Sequence, residues 1–118
     1  MDNGAEHVDH HVFFAIQGPV SGLNHISYES RDIDSIFIGH NVMKEKGYRH
    51  TWGIGRHFLG SNVFDYWYDP WNRVHEHWAD GDVRKASDGF GMHTPEAGLR
   101  QQWGPDNPQE FLGHTVPF

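Results

Sequence analysis

The chain of 118 residues contains no cysteine, which excludes disulfides, iron–sulfur clusters, thiolate zinc sites and cysteine nucleophiles together. Positive charge is scarce. Nine Lys and Arg stand against sixteen Asp and Glu, a net charge of −7 with histidines neutral, so nucleic acid and anionic membrane faces are not expected partners. No run approaches the ~18 apolar residues of a membrane span. The opening Met1-Asp2-Asn3-Gly4-Ala5-Glu6 lacks the basic and apolar stretches of a signal peptide. Together these features predict a cytoplasmic protein. A phosphate-binding loop is missing as well, because Gly53-Ile54-Gly55 runs into Arg56-His57 without a third glycine. What the chain does have is bulk for a core: eight Phe, five Trp and four Tyr offset a mean hydropathy of −0.71. It also has eleven histidines, so a metal site here would be built from imidazole and carboxylate. The length suits one domain of ordinary size, or a piece of something larger.

The pattern along the chain predicts a mixed α+β body. His11 to Ile16 is short, apolar and β-prone, and Gln17-Gly18-Pro19 ends it as a turn. Leu23 to Ser30 alternates, with His25, Ser27 and Glu29 on one face. Asp32 can cap a helix whose apolar side is Ile33, Ile36, Phe37, His40 and Met43, closed by Gly47. The aromatic, glycine-rich stretch from Tyr48 to His57 reads as an irregular strand. From Ser61 to Tyr68, a strand sets Asn62, Phe64, Tyr66 and Tyr68 against Val63, Asp65 and Trp67. Asp69-Pro70-Trp71-Asn72 turns the chain into Arg73 to Trp78, where Val74, Glu76 and Trp78 share a face. The order is β-α-β-β-β. Beyond Ala79 the Gly- and Pro-rich segment reads as a tail with little secondary structure, packed through Trp103 and Phe111.

His25 and Glu76 sit near the middle of two strands, at positions that alternation can aim at one concave face. Imidazole and carboxylate without thiolate suit Fe(II), Mn(II) or Zn(II). Spacing alone leaves it equally open that His25 is a core histidine and Glu76 a solvated carboxylate.

The segments Gly22-Leu23-Asn24-His25-Ile26-Ser27-Tyr28-Glu29, Gly55-Arg56-His57, Phe64-Asp65-Tyr66-Trp67-Tyr68-Asp69-Pro70 and Glu76-His77-Trp78 resemble the final module of type I extradiol ring-cleavage dioxygenases. These enzymes belong to the glyoxalase/bleomycin-resistance/dioxygenase, or vicinal oxygen chelate, superfamily. The likeness runs from about Asp9 to Trp78, and Gln102-Trp103-Gly104-Pro105 is similar to tails of catechol 2,3-dioxygenase-like members. It implies a βαβββ module over 22–79, half of a barrel-like mixed sheet with a helix on its outer face. Residues 1–21 would carry the last strand of a preceding module and 80–118 an irregular tail.

By the same resemblance, His25 and Glu76 match two metal ligands, and the implied ion is Fe(II), with Mn(II) as the other candidate. His11 matches the acid/base histidine near bound oxygen, while His57 and Tyr66 match groups that hydrogen-bond a catechol. All five are expected around one cavity. The implied reaction is extradiol cleavage of a catechol-type ring by O2, which needs a divalent ion with open positions and a histidine able to act as base and then acid.

The family's first metal histidine belongs to the first strand of the preceding module, and no histidine of this chain matches it. His7 lies in the polar N-terminal stretch and His40 on the helix. We therefore expect a C-terminal part of a two-module enzyme, a homo-oligomer, or pairing with a missing N-terminal part. Two readings compete with dioxygenase. One is a glyoxalase-type metal-dependent isomerase or lyase, against which His57 and Tyr66 count; the other is a non-catalytic module that binds an aromatic ligand, favoured by the unmatched histidine. A zinc pair of His75 and His77, on the face opposite Glu76, is a weaker third.

Overall fold

The computed structural model describes residues 7–89, 91–111 and 114–117. In chain order the elements are β1 (Val8–Asp9), β2 (Gly22–Leu23), β3 (His25–Glu29), α1 (Ile33–Glu45), β4 (His50–His57), β5 (Val63–Tyr68), β6 (Val74–Ala79), β7 (Val83–Arg84), α2 (Pro95–Gly98), β8 (Gln101–Trp103) and β9 (Val116–Pro117). Five of the strands form one sheet in the order β3-β6-β5-β4-β8. β3 runs parallel to β6 and the other neighbours are antiparallel. The β-α-β-β-β core expected from the pattern is present, with α1 carrying the chain from β3 over to β4, and β5 then leading back to β6, the parallel partner of β3.

Helix α1 begins where Asp32 accepts from the Ser35 amide at 2.8 Å, so the first turn has its cap. It ends where Gly47, at φ 79°, lets its own amide reach the Lys44 carbonyl and the Tyr48 amide reach that of Met43. Glycine enters this left-handed position without a Cβ clash. The helix buries Ile36 against Val63 and Ala79, with Ile33 and Ile54 at the margin. Phe37, expected on the buried side, is exposed instead. The sheet meets the helix along the narrow line of Ile33, Ile36, His40 and Met43, and Phe37 falls one step beyond it.

The opposite, concave face carries the aromatic core of Trp52, Phe64, Tyr66, Tyr68, Val74 and Phe111. Three expectations need correction. The strand expected at His11 to Ile16 is not formed; the N-terminal pairing is Val8–Asp9 with Val83–Arg84, and Val12, Phe13, Phe14 and Ile16 are exposed. β-prone residues become a strand only when an edge pairs with them, and no described strand pairs with this segment. The tail is more regular than expected, since Gln101–Trp103 adds a fifth strand to the sheet beside β4. Within that tail Phe111 is buried as expected, whereas Trp103 stays 44% exposed with Arg56 over its ring. Of the segments assigned from sequence, residues 1–6, 90, 112–113 and 118 lie outside the described ones. Among the described residues no helix is long and apolar enough to cross a membrane.

Candidate metal and substrate site

Parallel register places Ser27 of β3 opposite Glu76 of β6, with His25 opposite Val74. Side chains two apart on a strand share a face, so His25, Ser27 and Glu76 converge on the concave side. Antiparallel register then sets Tyr66 of β5 against Glu76. His57 reaches the same point from the end of β4. The geometry follows from alternation applied to three strands.

Glu76 is buried and held by polar groups on both carboxylate oxygens. Its Oε1 accepts from Ser27 Oγ at 2.6 Å and lies 3.4 Å from His25 Nε2. Its Oε2 lies 3.3 Å from His57 Nε2 and accepts from Asn62 Nδ2 at 3.4 Å. Burial works to raise the pKa of this carboxyl, but hydrogen bonds from His25 and His57 and the nearness of both rings outweigh it and hold it well below the usual carboxylate range. Glu76 is thus an ionised carboxylate at a buried position.

His25 is held in one orientation. The Asn24 amide donates through Nδ2 to the carbonyls of Phe111 at 3.0 Å and His114 at 3.5 Å, which turns its Oδ1 toward His25 Nδ1 at 2.7 Å. Nδ1 must donate in that contact, so Nε2 is the nitrogen presented to Glu76. A cation between Nε2 and the carboxylate would take the place of the proton that joins them. Two donors 3.4 Å apart can both reach an ion at the ~2.0–2.2 Å of metal–nitrogen and metal–oxygen bonds. The residues therefore fit a divalent ion, and Asn24 is the outer partner that orients a ligating histidine.

Tyr66 packs face to face on Trp52 with ring centroids 5.4 Å apart. Its hydroxyl is 2.9 Å from His57 Nε2. Burial, then the charge of Glu76 and a hydrogen bond to it, hold the hydroxyl well above its usual pKa; it keeps its proton. His11 stands at the open side of Glu76, beside His10 with their Nδ1 atoms 3.1 Å apart. Desolvation first, and the His10 ring second, push its pKa down, while Glu76 pulls the other way. A neutral His11 at pH 7 follows from that balance.

A cleft of about 240 Å³ opens beside Glu76, lined among others by His10, His11, Ser27, Asn62 and Trp78. The other four residues named from the sequence thus gather around the carboxylate of Glu76, although the five do not all line one cavity. His11 and Glu76 border the cleft. Tyr66 lies under Phe111, with ring centroids 4.7 Å apart, and Phe111 also touches His25. The tail fills that half of the concavity. Sequence reasoning missed Asn24, Ser27 and Asn62 as members of the site. Alternation had already put Ser27 beside His25 and Asn62 beside Tyr66, so two of the three left a signal.

On the other face His75 lies 2.9 Å from Asp69 Oδ2 and stacks on Tyr28, and the His77 ring is tilted against Tyr28. Each of these histidines has its own neighbours, and the two are not among the described groups able to share an ion.

No family model matches the chain. It is 37% identical over 109 residues to metapyrocatechase 2 of Cupriavidus necator, covering 91% of this chain and 34% of that protein. The chain spans about a third of the length of the curated relative it matches. Among solved structures it resembles the Mn(II)-bound glyoxalase from Novosphingobium aromaticivorans at 28% identity and TM-score 0.62, over 73% of this chain and 30% of that one. It also has the fold of a catechol 2,3-dioxygenase (22% identity, TM-score 0.61, 77% and 28% of the two chains). A similar fold is seen in the 2,3-dioxygenase LapB from Pseudomonas sp. KL28 (17%, 0.53, 54% and 22%). By these likenesses, and in its βαβββ sheet, the chain resembles a vicinal oxygen chelate module of extradiol-dioxygenase-like build.

Proposed function

We propose that this extradiol-dioxygenase-like module binds a divalent ion, Fe(II) in the first place, through His25 and Glu76 and opens a catechol-type ring beside its two hydroxyls. The observation that supports it most is the convergence of His25, His57 and Tyr66 on the buried carboxylate of Glu76. Its kinship with metapyrocatechase 2 points to the same chemistry. When bound, the ion supplies a Lewis acid for vicinal hydroxyls and a path for electrons to O2.

The chain's own residues supply the rest. His11, neutral and next to the cleft, accepts a proton from a substrate hydroxyl and returns it later. His57, backed by the protonated hydroxyl of the buried Tyr66, offers a ring oxygen a hydrogen bond without competing for the ion. Trp52 and Phe111 keep water from that side, which strengthens each of these contacts. Two protein ligands are fewer than a facial iron site uses, so the ion is held loosely by these two alone and turnover is low. We place the third ligand outside the described residues.

The likeness to a Mn(II)-bound glyoxalase favours a second reading, a metal-dependent isomerase that needs no O2. Oxygen uptake separates the two. With protein loaded anaerobically with Fe(II), we expect catechol-dependent O2 consumption that Glu76→Ala abolishes and His75→Ala leaves nearly unchanged. Consumption that survives Glu76→Ala would overturn the dioxygenase reading.

A further inference from the structure

On the helix side of the sheet a second constellation has no part in the site above. Strand alternation puts Asp65 on the face opposite Tyr66, beneath α1. His40 comes from the middle of α1, His50 from the start of β4 and Asp65 from β5. Each offers a ligand atom, and all three atoms lie within 4.8 Å of one another. We propose that His40, His50 and Asp65 form a second divalent-metal site, of the zinc type, that clamps α1 to the sheet.

The donor set is built rather than incidental. Asp65 is 0% exposed. Its Oδ2 accepts from Trp67 Nε1 at 2.6 Å and faces His40 Nδ1 at 3.0 Å; its Oδ1 faces His50 Nε2 at 2.8 Å. The two imidazoles meet edge to face, ring centroids 5.0 Å apart, and both also pack on Trp67. Close approach of β4 depends on Gly53, where a Cβ would stand 2.8 Å from Asp65 Oδ1. The carboxylate is therefore walled by backbone on one side and by indole on another. The histidines keep side-chain exposures of 25% and 31%, which leaves an entry for an ion and a water.

Two imidazoles and one carboxylate, with one side open to solvent, are the ligands Zn2+ takes when a water fills its fourth position. Without metal, each imidazole donates an N–H to Asp65. With metal, each ring carries its proton on its other nitrogen and enters neutral, while the Trp67 N–H remains as the outer hydrogen bond that orients the carboxylate. The fold has use for such a clamp. α1 contributes a single fully buried side chain, Ile36, to a cluster with Val63 and Ala79, and a small domain without disulfides gains from a metal staple. This site does not depend on the function proposed above.

The test is a Co2+ titration of the Glu76→Ala protein, in which the concave site has lost its carboxylate. We expect one equivalent to bind saturably, with the strong visible bands of four-coordinate Co2+. His40→Ala and His50→Ala, each added to that background, should weaken binding at least tenfold. These side chains are partly exposed, and circular dichroism checks that both variants fold. Zn2+ should raise the unfolding temperature of the Glu76→Ala protein and fail to do so once His50 is replaced. Absence of saturable binding, or binding indifferent to both histidines, would show a hydrogen-bonded network only and overturn the proposal.

Discussion

Asn24 is the residue on which the orientation of His25 turns. It takes no place in the concave face by alternation, and its two carbonyl partners lie 87 and 90 residues away in the chain, so local pattern carried no trace of its role. His25 and Glu76 were legible because period-2 alternation within β3 and β6 sets their facing, and the same alternation left an unread signal for Ser27. The registers between strands were not, since pairing is decided by packing across the sheet. Replacing Asn24 by Ala frees the imidazole to rotate and to change tautomer. We expect divalent-ion affinity at the concave site to fall about 10- to 100-fold, measured calorimetrically in a His50→Ala background that lacks the second cluster. Unchanged affinity would show that His25 is held by other contacts.

At the scale of elements, the helix was the most legible part. Asp32 and Gly47 mark its ends in the sequence, and both act there in the structure. His11 to Ile16 shows the limit of the same method: strand propensity describes what a segment does when an edge accepts it, and here none does. Strand β8 went unseen because three residues carry too little periodicity to read. Its place beside β4 comes from tertiary pairing alone. The tail nonetheless matters to the site, for Phe111 is buried against Trp52, Tyr66 and His25. Phe111→Ala should cost about 3–5 kcal/mol, the usual range for emptying an aromatic core position, read from urea unfolding. A loss below about 1 kcal/mol would mean that the tail is not part of the folded core.

At the scale of the whole molecule, the described residues leave apolar surface open. Phe13 and Phe14 are 81% and 70% exposed, and among the described residues β3 stands at the end of the sheet with one edge unpaired. An open edge beside exposed aromatic residues favours association. We expect sedimentation to show self-association at micromolar concentration, reduced by the pair Phe13→Ser and Phe14→Ser; a monomer at all concentrations would count against it. The central claim is narrower, that His25 and Glu76 grip one ion between them from β3 and β6. Anaerobic Fe(II) titration by calorimetry in the His50→Ala background tests it most directly. One ion per chain should bind there, and adding either His25→Ala or Glu76→Ala should remove that binding. If Fe(II) binds equally well after both replacements, the ion lies elsewhere and the account of the concave site is wrong.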